Sequence, residues 1–278
     1  MDRKFLLSPP IYYEKAYDFS DDNNFYVRYR DRQIDRLKAW NQWSHIVSRY
    51  MDRGVLLHIV EASEGLAELT FVGDSIFLFG KKAVISRFRH PERQKEAVYM
   101  KEWALRKGFE IMEIPEGYVF EGNAEAFYSH QMDVIIMGYG GNRTSIEVAE
   151  MLQDFLGVKV IPVEKYDFHL DVVLFLLKKY IIYAKGKVSE ESIKRLESEG
   201  FKTVPVPPHL IEDLGLNSTY IGSTVFINDS KNVPELRKIY LSLGFDVEVV
   251  DTSEFHLVGG GVKCLTLEHY RFEELPDL

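Results

Sequence analysis

Gly200-Phe-Lys-Thr-Val-Pro-Val206 follows a stretch of helical character, and four other segments of the chain repeat its pattern. Each segment begins with glycine, continues with valine or phenylalanine and has the composition of a short β-strand. The other four are Gly54-Val-Leu-Leu-His-Ile-Val60, Gly108-Phe-Glu-Ile-Met-Glu-Ile114, Gly157-Val-Lys-Val-Ile-Pro-Val163 and Gly244-Phe-Asp-Val-Glu-Val-Val250. A glycine just after a helix supplies the left-handed residue that ends it. The pattern therefore predicts five joints between a helix and a strand.

Apolar residues at helical spacing precede these glycines, as at Val148, Leu152 and Phe155 before Gly157. After each glycine-led strand the chain turns and forms one or two more apolar segments, such as residues 172–177. The repeating unit is therefore helix, strand, loop, strand, strand. One unit cannot bury its own apolar face, so the units must pack together. Five units predict an α/β fold closed into a ring around a pseudo-fivefold axis; the alternative is an open α/β sheet, where such joints are also common.

The composition is that of an ordinary globular domain. The chain has 278 residues, 46% apolar and 28% charged, and no linker rich in proline, glycine or serine divides it, so we expect one domain over residues 1–278. A net charge of −9 without a basic block disfavours nucleic-acid binding. Apolar runs such as residues 172–177 are too short to cross a membrane, and residues 1–10 lack the apolar core of a signal peptide. We therefore expect a cytoplasmic protein, with its oligomeric state open.

The sequence offers little for metal or cofactor binding. Its one cysteine, Cys264, excludes an intrachain disulfide and a cysteine-rich zinc site. The eight histidines do not occur at the spacing of metal ligands. Gly138-Tyr-Gly-Gly141 lacks the third glycine of a dinucleotide fingerprint. We expect neither a metal nor a cofactor.

One polar residue interrupts an apolar context after each glycine-led strand. These residues are Asp74, Glu121, His169, Asn217 and Cys264. Equivalent positions in a fivefold ring meet at its axis, so we expect these side chains to share one pocket. A thiolate is a nucleophile, an imidazole transfers protons, and carboxylates bind the N–H donors of a planar guanidinium. The set indicates thiol-dependent chemistry on a guanidino group.

Each of these residues also has a purely structural interpretation. An isolated cysteine is most often an inert buried side chain, and a single histidine in an apolar segment is most often a hydrogen-bonded core residue. Asp74 can cap a turn, and Glu121 can pair with a surface lysine. The catalytic interpretation therefore depends on the convergence of the whole set.

Longer motifs contain the same residues. They are Phe168-His-Leu-Asp171, Glu121-Gly-Asn-Ala-Glu-Ala126, Gly73-Asp74, Asn142-Arg-Thr144, and Asp251-Thr-Ser-Glu-Phe255 followed by Gly259-Gly-Gly-Val-Lys-Cys264. Their order and spacing, over about residues 8–272, resemble those of the guanidino-group-modifying superfamily, which includes arginine deiminases, dimethylarginine dimethylaminohydrolases and amidinotransferases. The resemblance implies that superfamily's fold, a five-repeat α/β propeller (pentein), in agreement with the repeat.

The resemblance also implies roles for four of the polar residues. Cys264 is expected to attack the guanidinium carbon. His169 is expected to protonate the departing amine and then to activate the hydrolytic water. Asp74 and Glu121 are expected to bind the guanidinium nitrogens.

Three further residues take roles from the resemblance. Arg93 and Arg143 fall where members of the superfamily bind a substrate carboxylate. Asp171 is expected to add an acceptor for the guanidinium, because on an extended strand it points to the same face as His169. A dimethylated nitrogen has no N–H for that acceptor, so we expect an unmethylated substrate.

The chain also departs from the superfamily pattern. Ala124 replaces a glycine and Glu125 replaces an aspartate of many relatives, which affects the shape of the Glu121 loop. Residues 8–13 and 18–24 are expected to form a lid over the pocket.

The sequence therefore predicts a cysteine-dependent hydrolase of arginine or a close relative, with a small guanidino compound as its ligand. A dimethylarginine dimethylaminohydrolase and an amidinotransferase, which passes the amidino group to an amine, are alternatives with the same residues. A non-catalytic ribosome-binding protein of the same fold is an alternative from another class, but it does not explain the convergence of these side chains.

Overall fold

The computed structural model describes residues 3–15, 33–166 and 168–272, which alternate between short strands and helices. The strands are β1 (Lys4–Leu7), β2 (Leu56–Ile59), β3 (Ile76–Phe79), β4 (Lys82–Ile85), β5 (Glu110–Glu113), β6 (Ala126–Ser129), β7 (Val134–Tyr139), β8 (Val160–Glu164), β9 (Leu174–Leu177), β10 (Tyr180–Ala184), β11 (Lys202–Val206), β12 (Thr219–Ile221), β13 (Thr224–Asn228), β14 (Asp246–Val250) and β15 (Leu267–Tyr270). The helices are α1 (Arg36–Met51), α2 (Gln94–Arg106), α3 (Val148–Leu156), α4 (Leu170–Val173), α5 (Glu190–Ser198), α6 (Val233–Ser242) and α7 (Ser253–His256). None of the described helices is long and apolar enough to cross a lipid bilayer.

Four consecutive segments of the chain share one arrangement of two strands, a helix and a third strand. They are β3-β4-α2-β5, β6-β7-α3-β8, β9-β10-α5-β11 and β12-β13-α6-β14. In each unit the first two strands are antiparallel, and the third is parallel to the second. A fifth unit comes from both ends of the described chain, because β15 pairs antiparallel with β1 and β2 pairs parallel with β1. The five repeats predicted from the sequence are therefore present in this mixed α/β fold.

The glycine that follows each repeat helix has the expected left-handed backbone. Its φ lies between +71° and +93° at all five positions, Gly54, Gly108, Gly157, Gly200 and Gly244. At the end of α3 the Gly157 N–H donates to the carbonyl of Gln153 at 2.9 Å, which closes the last helical turn. The glycine thus redirects the chain from each helix into the strand that follows.

Helix α1 shows how a repeat helix packs toward the predicted site. Its buried residues are Ala39, Gln42, Trp43, Ile46 and Tyr50, which form one face at helical spacing. The apolar members of that face belong to the same core cluster as Cys264. The Tyr50 hydroxyl lies 2.9 Å from the hydroxyl of Thr266, two residues after the cysteine. The α1 face therefore supports the segment that contains Cys264.

The fifth unit contacts both of its neighbours. Strand β15 is parallel to β3 of the first unit, which creates a six-stranded sheet with the order β2-β1-β15-β3-β4-β5. Arg3, which is half-buried, forms an ion pair with the buried Glu268, with Nε 2.8 Å from Oε1. The Arg3 guanidinium carbon also lies 4.1 Å from the ring centre of Tyr220, in the fourth unit. These contacts join the two ends of the described chain.

Candidate active site

The five polar residues occupy equivalent places in the five units. They are Asp74, Glu121, His169, Asn217 and Cys264. Each lies two to five residues before the first strand of its unit. Asp74 is part of a 3₁₀ turn, Val72–Ser75, and Glu121 directly precedes another, Gly122–Ala124. The position of the polar residue within the repeat is therefore itself repeated.

Close backbone packing sets the loops of Asp74 and Glu121 side by side. Gly122 has a φ of +57°, and a Cβ atom there would lie 2.5 Å from the carbonyl oxygen of Gly73 and 2.9 Å from that of Asp74. Only glycine permits this approach. Ala124 is buried within the same 3₁₀ turn, so this departure from the superfamily pattern is compatible with an ordered Glu121 loop.

One pocket of about 370 Å³ brings most of the predicted residues together. Its lining includes Asp74, Arg93, Arg143, His169 and Cys264. Glu121 contacts His169 and Arg143, and Asp171 contacts Cys264. All seven residues predicted for the site are therefore close to one another, and all are buried.

Cys264 lies in a helical turn just before β15, in which the Leu265 N–H donates to the Gly261 carbonyl at 3.1 Å. Its Sγ accepts a hydrogen bond from Nδ2 of Asn217 at 3.1 Å, and the thiol donates to Oδ2 of Asp171 at 3.5 Å. Burial raises the pKa of the thiol well above its usual value, and the carboxylates of Asp171 and Asp74 raise it further. Both effects favour the neutral thiol, and a cation bound beside it would favour the thiolate.

His169 and Glu121 form a buried acid–base pair. Nε2 of His169 lies 2.5 Å from Oε2 of Glu121, and Nη1 of Arg143 donates to the same oxygen at 3.0 Å. Burial lowers the pKa of His169 well below its usual value, and burial raises the pKa of Glu121 to about 7. Both shifts favour uncharged side chains. The neutral imidazole of His169 can therefore take up a proton from a neighbouring group, beside the Glu121 carboxyl group.

A second buried pair holds the backbone on both sides of His169. Nζ of Lys165 lies 2.9 Å from Oε1 of Glu125 and donates to the carbonyl of Phe168 at 2.7 Å. Oε2 of Glu125 accepts from the Leu170 N–H at 3.2 Å. The pair therefore fixes the peptide groups before and after the imidazole. Glu125 therefore has a structural role, because its contacts hold the backbone next to His169.

Arg93 lies among three acidic side chains. Its Nη1 is 2.8 Å from Oδ2 of Asp74, its Nη2 is 2.8 Å from Oε2 of Glu96, and its Nε is 3.3 Å from Oε2 of Glu68. Burial raises the pKa of Glu68 to about 8, although Arg93 opposes the shift. The acidic groups around Arg93 therefore outnumber the cation.

The two arginines predicted to bind a substrate carboxylate both face the pocket. Arg93 pairs with Asp74, and Arg143 pairs with Glu121. The guanidinium carbon of Arg143 also lies 4.3 Å from the ring centre of Phe168. These groups thus contact the acidic residues of the site, and their binding of a substrate carboxylate stays a prediction.

The expectation that His169 and Asp171 lie on one extended strand is wrong. His169 has an extended backbone, but the next four residues form the single helical turn α4, and β9 begins only at Leu174. A run of four such residues fits a helix and a strand equally well in the sequence. Asp171 still reaches Cys264, and it borders a second cavity of about 400 Å³.

Two carboxylate oxygens beside Cys264 have no hydrogen-bond partner within residues 3–15, 33–166 and 168–272. They are Oδ1 of Asp74 and Oδ1 of Asp171. An unsatisfied buried acceptor costs about 1–3 kcal/mol. Burial raises the pKa of Asp171 to about 7, and Asp74 adds to the shift. The site has an excess of acceptors, which suits a cation with several N–H donors.

The proposed lid is described only in part. Tyr13 is buried, stacks on Phe255 with a ring-centre distance of 5.2 Å and meets the edge of Phe71, a residue that lines the pocket. Its hydroxyl donates to the carbonyl of Glu254 at 3.2 Å. Residues 8–13 thus end against one wall of the pocket, and residues 18–24 lie outside the described residues.

Sequence reasoning did not identify several residues that shape this site. Glu68 is an isolated acid in the apolar segment at residues 66–72, the same signal that selected Asp74. Glu96 lies three positions after Arg93, a spacing that brings helical side chains together. Lys165 has no such signal, because its contact with Glu125 joins two loops distant in sequence.

The fold and the pocket define a guanidino-group-modifying enzyme, and comparison with known proteins identifies the family. Residues 11–271 match the family described as "N,N dimethylarginine dimethylhydrolase, eukaryotic". The chain belongs to this family.

Individual relatives are more distant. The chain is 26% identical over 272 residues to the bifunctional arginine dihydrolase/ornithine cyclodeaminase AgrE of Nostoc sp., which covers 95% of this chain and 37% of AgrE. It is also 26% identical over 275 residues to the N(G),N(G)-dimethylarginine dimethylaminohydrolase of Mycobacterium tuberculosis, which covers 96% of this chain and 85% of that protein. The crystal structure of a cysteine-to-alanine mutant of AgrE with L-arginine has a TM-score of 0.86 at 25% identity and covers 97% of this chain and 40% of that one. The chain therefore spans less than half the length of AgrE.

Proposed function

We propose that this protein is a cysteine-dependent hydrolase of C–N bonds in a guanidino compound, with arginine or a close unmethylated relative as substrate. The observation that carries the proposal is the pair of unsatisfied carboxylate oxygens, on Asp74 and Asp171, beside the thiol of Cys264. A guanidinium has five N–H donors and a positive charge. It can satisfy these acceptors and also offset the acidic excess of the pocket.

In the proposed reaction the bound guanidinium first favours the thiolate of Cys264, because a nearby positive charge lowers a thiol pKa. The thiol proton is transferred to His169, the sulfur bonds to the central carbon, and the electron pair of one C–N bond leaves with an amine that takes this proton from His169. The product of this step is a thiouronium adduct. The neutral His169 next removes a proton from water, the hydroxide adds to the carbon, and the C–S bond breaks with its electron pair on sulfur, which regains a proton. Arginine would give citrulline and ammonia.

Asp74 and Glu121 are proposed to hold the guanidinium, with Asp171 as a further acceptor. Arg93 and Arg143 are proposed to bind the carboxylate of an amino-acid substrate, which requires Arg93 to exchange its contact with Asp74 and Arg143 its contact with Glu121. Replacing either arginine should then raise KM for arginine and change it little for agmatine, which lacks the carboxylate. Equal effects on the two substrates would instead assign these arginines a structural role.

Dimethylarginine is the second candidate substrate, because the matching family is described by that activity. A dimethylated nitrogen has no N–H, so it would leave a buried carboxylate oxygen without a donor, at about 1–3 kcal/mol. We therefore expect kcat/KM for asymmetric dimethylarginine to be about tenfold below that for arginine. Both values should be measured on one preparation by following the ureido product. Preference for the methylated compound would refute the choice of arginine.

The acceptor of the amidino group is tested in the same assay. Water gives a ureido product, whereas an amidinotransferase gives a new guanidine when a primary amine is added. Mass analysis of the products with and without an added amine separates the two reactions. A protein with neither product, for all guanidines tried, would return the ribosome-binding alternative to consideration.

We also propose that residues 1–278 form one domain in which the five units close into a propeller with pseudo-fivefold symmetry. Two observations support this arrangement: equivalent residues of the five units meet near one pocket, and β15 pairs with β3 of the first unit. An experimental structure in which the units do not surround the Cys264 pocket would contradict it.

A further inference from the structure

Asn217 holds the nucleophile from the fourth unit, and the resemblance gave it no role. Its Nδ2 lies 3.1 Å from Sγ of Cys264. Its Oδ1 accepts from the backbone N–H of Lys263 at 3.1 Å and from that of Cys264 at 3.3 Å. Because the two N–H groups require an oxygen at this position, the amide nitrogen must face the sulfur.

Asn228 supports the same turn without touching the sulfur. Its Oδ1 accepts from the Val262 N–H at 2.8 Å, and its Nδ2 donates to the carbonyl of Asn217 at 3.0 Å and to that of Leu214 at 2.7 Å. Two side-chain amides thus accept from the three consecutive N–H groups that begin the cysteine turn. Such first-turn N–H groups have no partner within their own turn.

Gly261 makes this arrangement sterically possible. A Cβ atom at this position would lie 2.7 Å from Oδ1 of Asn217 and 2.7 Å from Nδ2 of Asn228. Both amides therefore need a residue without a side chain at the start of the turn. Packing against these two amides therefore requires the third glycine of the Gly259-Gly-Gly261 motif, and the sequence alone did not indicate this.

We propose that Asn217 is a further catalytic residue of the hydrolase, donating a hydrogen bond to the Cys264 thiolate before attack and again when the sulfur leaves the adduct. This role rests on the proposed function. The carboxylates of Asp171 and Asp74 repel a negative sulfur, and the Asn217 N–H is a side-chain donor directed at it. A hydrogen bond to a charged group is stronger than one between neutral groups.

The test is the pH dependence of alkylation of Cys264, the single cysteine of the chain, by iodoacetamide. Below the thiol pKa the rate is proportional to the thiolate fraction. Asn217→Ala should therefore react about 10- to 100-fold more slowly at a given pH, the equivalent of one charge-assisted hydrogen bond. Asn217→Asp keeps the size and the backbone acceptor, so it remains informative if the alanine variant does not fold, and it should also react more slowly.

Asn228→Ala is the matched comparison, because it loosens the turn but does not remove the Asn217 side-chain donor. It should slow the alkylation clearly less than Asn217→Ala does. An equal slowing in Asn228→Ala, or no slowing in either Asn217 variant, would overturn the proposal. The assay does not need turnover, so a failure to find a guanidine substrate would contradict the proposed function while leaving this result to be judged separately.

Discussion

The surroundings of a half-buried arginine, Arg3, and of a buried one, Arg93, differ in charge balance. Arg3, between the two ends of the described chain, has one carboxylate partner in Glu268 and lies over the aromatic rings of Phe5 and Tyr220. Burial alone would raise the pKa of Glu268, but Arg3 and His130 together outweigh it and lower that pKa to about 2. The cation and the carboxylate at this junction therefore balance each other, and the carboxylate is held in its charged form.

Arg93, beside the candidate active site, is surrounded by more carboxylates than one cation can balance. Glu68, Asp74 and Glu96 all contact its guanidinium, and the pKa of Glu68 is raised to about 8 by burial. One oxygen of Asp74 still has no hydrogen-bond partner among the described residues. A balanced pair stabilises the fold, whereas an acidic excess around a cation favours binding of another cation at some expense of stability. Substitutions at the two places should therefore have opposite consequences for activity and stability.

The largest effect is expected at the thiol. Cys264→Ser should lower kcat by about 10⁴-fold or more, because the nucleophile is lost, as for the nucleophile of other covalent enzymes. The midpoint of thermal unfolding should change little, since serine is nearly the same size. Steady-state kinetics and thermal unfolding on the same preparation check both. Turnover comparable to that of the unmodified protein would rule out covalent catalysis at Cys264.

His169→Ala should lower kcat by about 10²–10⁴-fold, the usual contribution of a positioned acid or base. Attack by sulfur can still proceed when the leaving group departs without help, so the adduct on Cys264 should accumulate. Intact-protein mass spectrometry after mixing with arginine detects it. Unchanged turnover and no adduct would make His169 a structural core residue.

The free energies of unfolding of two variants provide a direct comparison of the surroundings of the two arginines. Glu268→Gln leaves Arg3 without its carboxylate, and loss of one partner of a buried pair lowers the free energy of unfolding by about 3–5 kcal/mol. Asp74→Asn is the matched change near Arg93, where two other acids contact the guanidinium, and it should change that free energy by less than about 1 kcal/mol. Urea unfolding of both variants provides the values. An equal decrease in the free energy of unfolding for both variants would contradict the acidic excess around Arg93.

The pH dependence of stability should differ between the two regions. The pKa of Glu268 is lowered from 4.5 to about 2 in the fold, so its stabilisation is complete above pH 4.5 and is lost as the pH falls toward 2. This contribution is about 3 kcal/mol. The pKa of Glu68 is raised to about 8, so its contribution is complete below 4.5 and is lost as the pH rises through 8.

Unfolding free energies measured from pH 2 to 9 test both directions. Glu268→Gln should flatten the acid side of the curve, and Glu68→Gln should flatten the fall in stability between about pH 4.5 and 8. A Glu68→Gln variant with an unchanged slope in this range would mean that Glu68 is already charged at neutral pH.

Much of the fold could be predicted, because short-range features of the sequence indicate its repeat. The helix-ending glycines and the apolar faces before them are short-range features, and the repeated strand pattern follows from them. The completion of the fifth unit was not predictable in this way, since β1 and β15 lie at opposite ends of the described chain. The sequence near either strand does not indicate with which distant strand it pairs.

The site was predictable where a polar residue interrupts an apolar segment, as at Asp74 or His169. It was not predictable where the function of a residue depends on a partner elsewhere. In the sequence Lys165 looks like an ordinary charged residue, and only its ion pair with Glu125 in the structure shows its role. The turn at Leu170–Val173 was mistaken for a strand because so short an apolar run has no decisive periodicity.

The pairing of β1 with β15 has a consequence for the order of folding. Arg3 and Glu268 are separated by 265 positions, so their contact closes a loop that contains nearly all of the described residues. Contacts of such long range are slow to form, and during synthesis the first strand must wait for the last. Cys264 lies three residues before β15, so this late pairing completes the sheet next to its turn, which Asn217 and Asn228 also hold. We therefore expect the pocket around Cys264 to be completed late in folding.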